Sequence, residues 1–304
     1  MMLEPYRRRH LFGLMIETPF DLPGSQAPTG DGPCDVVIGW HPETAEPALS
    51  PGRLPAPALP GAPVAGRTDT ATIYGWPGEM MFLIQDQGDR IDVICRPGRL
   101  PSVPGALVGD PMGILLFRRG LLCLHAAAVV MRGRTHCFMG ATGAGKSTLA
   151  AALVARGGLV AADDLIAISR TGPQVCFLPG TAGLRLTEET ARRFLPTGTE
   201  GLAPLPSTGK WWWQAPSVDP ADKAELALDE IHLLTRQTGD MYRPDPVRRL
   251  HLLINMWHPA ICRSFMTTEI MARFARLAEH LPLTVHRVEP GWDGLLRLAE
   301  EIGG

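Results

Sequence analysis

The glycine-rich segment "GATGAGKST" constrains this chain more than any other feature. It spans Gly140–Thr148 and fits the pattern G-x-x-x-x-G-K-[ST]. Glycines let the backbone turn so that several N–H groups point at the same phosphate oxygens. A strand-like run, "HCFM", precedes the segment and a helix-like run follows it, so the positive N-terminus of that helix would face the anion. The segment therefore predicts nucleotide binding.

Lysine is scarce in this chain, which gives the lysine of this segment extra weight. Of the 29 basic residues only Lys146, Lys210 and Lys223 are lysines, so a chance match to the pattern is rare. Lys146 is predicted to reach the terminal phosphates, and the hydroxyl of Ser147 to bind Mg²⁺. The predicted nucleotide-binding residues are Gly140, Ala141, Thr142, Gly143, Ala144, Gly145, Lys146, Ser147 and Thr148.

Several classes of protein are disfavoured by what the chain lacks. Guanine-specific GTPases read the base with N-K-x-D, whereas the single asparagine, Asn255, is followed by Met-Trp-His. The signature LSGGQ of transporter ATPases is absent as well. A net charge of -2 gives no electrostatic reason to expect nucleic acid or an anionic membrane as a partner.

The cysteines and the N-terminus bear on the compartment. The six cysteines form no C-x-x-C, and with the nine histidines they make no zinc spacing, which favours reduced thiols. The first twenty residues contain only a short, interrupted apolar run and no small-residue cleavage site. We therefore expect a cytoplasmic protein.

Two carboxylates stand side by side in "GGLVAADDLIAI", between two apolar runs. Charges are rarely buried unless they are paired or bind a metal, so Asp163 and Asp164 need an explanation. The strand "LVAA" is predicted to run beside the strand before the glycine-rich segment and to deliver both carboxylates to the phosphates. If the strand is still extended at residue 163, the two side chains face opposite sides and have different jobs. A capped turn at a strand end is the alternative.

The chain is predicted to divide near residue 105. Residues 1–105 have the strand-like runs "TATIYGW", "MMFLIQ" and "RIDVICR", with a proline-rich loop at 42–63 that contains seven prolines. Residues 106–304 alternate strand and helix patterns, which predicts an α/β domain. Here "DPMGILLFRRG" is predicted to be a helix with Asp110 as N-cap, and "LALDEIHLLTR" a single strand.

Residues 124–168, "LHAAAVVMRGRTHCFMGATGAGKSTLAAALVARGGLVAADDLIAI", resemble the catalytic domain of HPr kinase/phosphorylase. That family has a histidine before a hairpin, the glycine-rich segment, a helix ending in Arg-Gly and then an aspartate pair. Weaker similarity runs through "PGTAGLRL", "GKWWW" and "LDEIHLLTR". The resemblance implies a P-loop α/β fold related to phosphoenolpyruvate carboxykinases, preceded by a separate N-terminal domain.

The resemblance also implies roles for individual residues. Asp163 would be the general base, His125 would orient an aspartate beside it, and Asp164 would join Ser147 in binding Mg²⁺, although the two aspartates could exchange roles. Arg185 would face phosphate, or else be a surface residue. The chain departs from the family at Thr148, where glutamate is frequent, and it lacks the signature E-x-R-G-x-G. It therefore looks like a divergent relative, similar to the kinases that accompany lasso-peptide biosynthesis.

These features predict an ATP- and Mg²⁺-dependent kinase that transfers the γ-phosphate to a serine of a peptide or small protein, such as a ribosomal precursor peptide. A non-catalytic nucleotide-binding regulatory module and a kinase of a small hydroxylated metabolite are the alternatives. Lys210 could face phosphate or acidic substrate. Trp211, Trp212 and Trp213 cannot all face one core from one strand, so they predict a surface for a peptide or a second copy of the chain.

Overall fold

The computed structural model describes residues 5–28, 30, 32–42, 62–200, 202–205, 209–219, 225–236, 241–256, 266–289 and 291–304. Its contacts divide the chain into two compact units, with the break between Leu122 and Cys123. Most of the predicted proline-rich loop, at 43–61, lies outside the described residues.

The first unit is built on a seven-stranded sheet. Its strands are β1 (Arg7–Leu11), β2 (Leu14–Thr18), β3 (Val36–Pro42), β4 (Val64–Arg67), β5 (Ala71–Trp76), β6 (Met80–Gln85) and β7 (Arg90–Cys95). The spatial order is β1-β2-β3-β7-β6-β5-β4, with β3 parallel to both neighbours and the other pairs antiparallel. Strands β6 and β7 form a hairpin, and Gly88 takes a positive φ of +70° in its turn.

Two short helices complete the first unit after a 3₁₀ turn at Pro97–Ser102. They are α1 (Val103–Leu107) and α2 (Asp110–Arg118), and α2 packs on β6 and β7. The unit thus extends to residue 122, beyond the predicted boundary at 105, because the apolar face of α2 is buried within this unit. Asp110 is not the N-cap of α2, which is Gly109; its carboxylate instead accepts a hydrogen bond from the Tyr74 hydroxyl.

The second unit alternates strands and helices, as the sequence predicts for an α/β domain. Its strands are β8 (Leu122–Leu124), β9 (Ala126–Met131), β10 (Arg134–Gly140), β11 (Leu159–Ala162), β12 (Ile166–Arg170), β13 (Cys176–Leu178), β14 (Leu184–Leu186), β15 (Ala203–Leu205), β16 (Lys210–Trp213), β17 (Leu226–Ala227), β18 (Glu230–Thr235) and β19 (Leu283–Arg287). Its helices are α3 (Lys146–Val154), α4 (Glu188–Phe194), α5 (Pro246–Met256), α6 (Thr268–His280) and α7 (Asp293–Gly303).

A central five-stranded sheet has the order β11-β9-β10-β18-β19. Strand β10 is parallel to β18, which is parallel to β19, whereas β9 is antiparallel to both of its neighbours. The prediction that "LVAA" lies beside the strand before the glycine-rich segment is wrong. Strand β9 forms a tight hairpin with β10 through Arg132 and Gly133, and β18 takes the other edge of β10, so β11 pairs with the outer edge of β9.

Two smaller sheets, β17-β13-β12-β8 and β14-β16-β15, complete the unit. The predicted single strand "LALDEIHLLTR" is two strands in different sheets. The break lies at Asp229, whose carboxylate accepts the N–H of Thr135 at 2.7 Å and whose own N–H donates to the Thr135 carbonyl. These bonds fix the start of β18 against the start of β10.

The core of the second unit lies between the central sheet and helices α3 and α7. It buries Phe138 and Leu234 of the sheet together with Leu149, Leu153 and Leu298 of the helices. Helix α3 ends in a Schellman motif, in which the N–H groups of Gly157 and Gly158 donate to the carbonyls of Val154 and Leu153. These two glycines end the helix, which lies directly behind the glycine-rich loop.

Among the described residues no single helix is long and apolar enough to cross a membrane. The helical segments Pro97–Leu107 and Asp110–Arg118 meet that test only when joined, across a bend of 56°.

Candidate functional site

A cavity of about 550 Å³ opens at the end of β10, where the glycine-rich loop turns into α3. It is lined by residues from seven segments of the second unit, many of them charged or polar. Of the residues singled out from the sequence, it gathers His125, Thr142, Gly143, Ala144, Gly145, Lys146, Ser147, Thr148, Asp163, Asp164, Arg185 and Lys210. Gly140 and Ala141 do not line it, but their carbonyls bind the ammonium of Lys146.

The glycine-rich loop needs its glycines for both conformation and space. Gly143 and Gly145 have φ of +79° and +99°, values that side-chain-bearing residues rarely adopt. A Cβ on Gly145 would lie 2.7 Å from a methyl carbon of Leu295 in α7. The loop thus runs into the first turn of α3, whose N–H groups have no acceptor within the helix and can face an anion.

Lys146 is the first residue of α3 and is only 8% exposed. Its ammonium donates to the carbonyls of Gly140 at 2.9 Å and Ala141 at 3.3 Å, which holds it across the base of the loop. Burial lowers the pKa of this ammonium, while the carboxylates of Asp164 and Asp163 oppose that shift. The two carboxylates therefore favour the charged form of the ammonium, and the two carbonyls hold it in place.

Asp163 is almost completely buried, with 2% exposure. One of its carboxylate oxygens accepts from the Ser147 hydroxyl at 3.0 Å, and the other accepts from the backbone N–H of Arg185 at 2.7 Å. Burial and the neighbouring Asp164 raise the pKa of this carboxyl. Oxygens in adjacent positions around a six-coordinate Mg²⁺ lie about 2.9 Å apart, so the Ser147 and Asp163 oxygens fit a shared Mg²⁺.

Asp164 reaches the same cavity because the chain does not continue as a strand. Strand β11 ends at Ala162, and Asp164 has a left-handed φ of +75°. The expected alternation of side chains therefore does not apply, since it holds only for extended backbone. The carboxylate pairs with Arg185 at 2.7 Å and lies 3.3 Å from Nδ1 of His125. Burial disfavours its charge, but Arg185 and His125 outweigh burial and hold the pKa of Asp164 below its usual range.

Arg185 is supported from behind by a tryptophan. It lies on β14, opposite Trp212 of β16, and both side chains are buried. The Trp212 ring also covers Gly183, where a Cβ would come within 2.4 Å of it. Only Nη1 of Arg185 is bonded to Asp164; Nε and Nη2 are buried without a hydrogen-bond partner among the described residues. Unsatisfied buried donors are costly, so this guanidinium is suited to donate hydrogen bonds to a further anionic group or to water.

Three further residues at the cavity were not assigned from the sequence. Arg236, one residue beyond β18, donates to the Gly143 carbonyl at 2.9 Å and braces the glycine-rich loop. Thr190 of α4 lies 3.2 Å from the hydroxyl of Thr148, and Thr187 caps α4 beneath it. The only sequence signal for Arg236 was its place at the end of a predicted strand. No sequence signal pointed to Thr187 or Thr190.

The three tryptophans share one strand but not one environment. Trp212 is 7% exposed, whereas Trp211 and Trp213 are half-buried on the other face. The prediction that they cannot all face one core is confirmed; the predicted partner surface remains a prediction. Lys210, directly before them, lines the cavity; its charge opposes the rise in the pKa of Asp163 and adds to the lowering of the pKa of Asp164.

No family model and no curated protein matches this chain. Among solved structures, the HPr(Ser) kinase/phosphatase from Coxiella burnetii is similar, with 17% sequence identity and a TM-score of 0.33 over 59% of this chain and 86% of that one. The likeness is confined to the fold and is distant, so the chemistry of the cavity rests on the residues described above.

Proposed function

We propose that this protein is an ATP- and Mg²⁺-dependent kinase that transfers the γ-phosphate to a serine hydroxyl of a peptide or small protein. The proposal rests mainly on one observation. The loop Gly140–Thr148 and two aspartates with different partners face one cavity, and one of these aspartates contacts the loop's serine at 3.0 Å. A phosphate cradle, oxygen ligands and a second carboxylate are the parts that phosphoryl transfer requires.

The phosphates would lie on the glycine-rich loop and the first turn of α3, with Lys146 beside them. Ser147 and Asp163 would hold the metal, since their oxygens are already at the spacing of neighbouring ligands. Mg²⁺, when bound, supplies positive charge that stabilises the transferring phosphoryl group. Arg185 fixes both aspartates at once, through its backbone N–H on Asp163 and its guanidinium on Asp164.

The hydrogen bonds support the exchange of the roles first assigned to the two aspartates. Asp163 is 2% exposed and each of its oxygens already has a hydrogen-bond partner, so an acceptor hydroxyl has less access to it than to Asp164. The side chain of Asp164 is 27% exposed, and Arg185 and His125 outweigh burial and keep its pKa below the usual range. Asp164 is thus the base, with His125 as its positioning partner, and Asp163 serves the metal.

In the proposed reaction the acceptor oxygen forms a bond to the γ-phosphorus. The bond from that phosphorus to the bridging oxygen of ADP breaks, and the hydroxyl proton passes to Asp164. Lys210 adds positive charge to the same cavity, which suits a substrate whose charge is negative. A peptide acceptor follows from the resemblance of the sequence, and a ribosomal precursor peptide is the form that we test.

The test is single-turnover transfer from γ-labelled ATP to serine-containing candidate peptides, each paired with a version in which the serine is alanine. We expect label on the serine peptides only, and a loss of about 10²–10⁴-fold in the chemical step for Asp164→Asn. Asp69→Asn, at an exposed aspartate of the first unit, is the matched control. Slow loss of ATP that no acceptor accelerates would support a nucleotide-dependent switch instead, and label on a small metabolite would contradict the peptide acceptor.

A further inference from the structure

A second polar cluster lies on the central sheet, away from the glycine-rich loop. It consists of His136 on β10, Glu230 and His232 on β18, and His286 on β19, and we call it the histidine cluster. Nδ1 of His136 is 3.0 Å from Nε2 of His232, and Nδ1 of His232 is 2.9 Å from Nε2 of His286. His136 and His232 are 6% and 4% exposed, and Phe138 packs against the His232 ring.

Strand register explains how these side chains come together. His136 lies opposite Glu230 in the parallel pair of β10 and β18, and His232 follows Glu230 by two residues on the same face. His286 belongs to the same face of the next strand, because Leu234, two residues beyond His232, is its partner in the register. One ligand atom from each of His136, Glu230 and His232 lies within 4.8 Å of the other two.

We propose that His136, Glu230 and His232 form a binding site for a divalent transition-metal ion, with Zn²⁺ the best match. Two imidazoles and one carboxylate suit Zn²⁺, which accepts three protein ligands and one open position. Two nitrogens bound at tetrahedral Zn²⁺ lie about 3.3 Å apart, only a few tenths of an ångström from the 3.0 Å found here.

The hydrogen-bond chain prepares the ligands in the form that binds metal. If Nε2 of His232 binds the ion, its Nδ1–H donates to Nε2 of His286, which fixes the tautomer and the ring orientation. His286 is therefore a positioning residue, as is Thr284, whose hydroxyl donates to Glu230 at 2.9 Å.

Two arginines also approach Glu230, and they define the rival interpretation. Arg134 and Arg243 come within 4.0 Å and 3.5 Å of its carboxylate, but their side chains are 60% and 75% exposed and hold the carboxylate only weakly. Without a metal, the cluster would be a ladder of neutral histidines beside an exposed ion pair. The proposed site is also distinct from the Mg²⁺ site, since four strand residues, about 13 Å, separate His136 from Gly140.

The experiment uses full-length, untagged protein that has been stripped with chelator and titrated with Zn²⁺ or Co²⁺ without nucleotide. We expect one equivalent per chain, and a visible Co²⁺ absorption band of the kind given by nitrogen and oxygen ligands in a tetrahedral site. His136→Gln and Glu230→Gln should each weaken binding by more than the 10–100-fold typical of an outer partner. His251→Gln, at an exposed histidine of α5, is the matched control and should change nothing.

The outcome is decisive even where a variant does not fold. X-ray absorption of the wild-type protein loaded with Zn²⁺ should show two imidazole ligands. Absence of tight Zn²⁺ binding by the wild type, or binding that persists in folded His136→Gln protein, would overturn the site. Asp163→Asn should bind Zn²⁺ normally, so failure of the proposed kinase activity and failure of the Zn²⁺ site remain distinguishable.

Discussion

The aspartate pair and the histidine cluster are both buried polar groups of the second unit, but they handle charge differently. Asp163 and Asp164 are held by Ser147, Arg185 and His125 in a cavity that opens to solvent. The histidine cluster contains rings that bond to one another through neutral nitrogens. The aspartate pair and its cationic partners suit a reaction in which negative charge is transferred. The histidine cluster instead offers nitrogen lone pairs to a permanently bound metal ion.

The largest expected effect concerns the cation of the glycine-rich loop. Lys146→Ala should lower phosphotransfer by about 10³-fold or more, the size of the effect of a cation that stabilises a transferring phosphoryl group. Single-turnover transfer measures it, with circular dichroism to establish that the variant is folded. Zn²⁺ affinity should not change. Near wild-type transfer by the folded variant would remove the glycine-rich loop from the proposed reaction.

The next effect separates the two aspartates. Asp164→Asn should cut the chemical step about 10²–10⁴-fold and leave Mg-ATP binding nearly intact, as expected for a general base. Asp163→Asn should instead raise the Mg²⁺ concentration needed for transfer and weaken nucleotide binding, because Ser147 loses its carboxylate partner. ATP affinity, Mg²⁺ titration and single-turnover rates decide between the roles. The opposite pattern would restore the roles assigned from the sequence, and wild-type behaviour of both variants would make the pair structural.

A smaller effect is expected from the loop's backbone. Gly145→Ala should lower the free energy of unfolding by about 1–3 kcal/mol, because its φ of +99° is strained for alanine and its Cβ meets Leu295. Gly172→Ala, where a Cβ has open space, is the control and should be nearly neutral. Denaturant unfolding measures both variants. If neither substitution changed the free energy of unfolding, the glycine-rich loop would be able to relax around the new side chain and would not be a rigid, preformed phosphate-binding site.

The smallest expected effect tests the support of the histidine cluster. Thr284→Val removes the hydroxyl that donates to Glu230 while keeping the side-chain shape, so Zn²⁺ affinity should fall about tenfold. Phosphotransfer should be unaffected, since Thr284 lies outside the cavity that the aspartates line. Competition titration with a chromophoric chelator measures the shift. Unchanged affinity would mean that Glu230 needs no orientation or is not a ligand.

The sequence predicted the parts of the site that are close together along the chain. The loop, the helix behind it and the aspartates lie within residues 140–164, so their order along the chain was enough to predict that they belong to one site. Strand neighbours were harder: β11 lies outside β9 because a hairpin already occupies one edge of β10, a choice that no local pattern reveals. The histidine cluster was missed because it depends on the register of three strands that are far apart in sequence: His232 follows His136 by 96 residues, and His286 follows His232 by 54.

The left-handed backbone at residue 164 restricts which amino acids can replace Asp164 during evolution. Aspartate, asparagine and glycine tolerate that conformation, whereas glutamate would restore the charge but not the turn. Selection for the fold alone would let all three residues drift at this position, and selection for proton transfer would retain aspartate only. A sample of natural variants would therefore record, at this single codon, whether a lineage has kept the chemistry or only the shape.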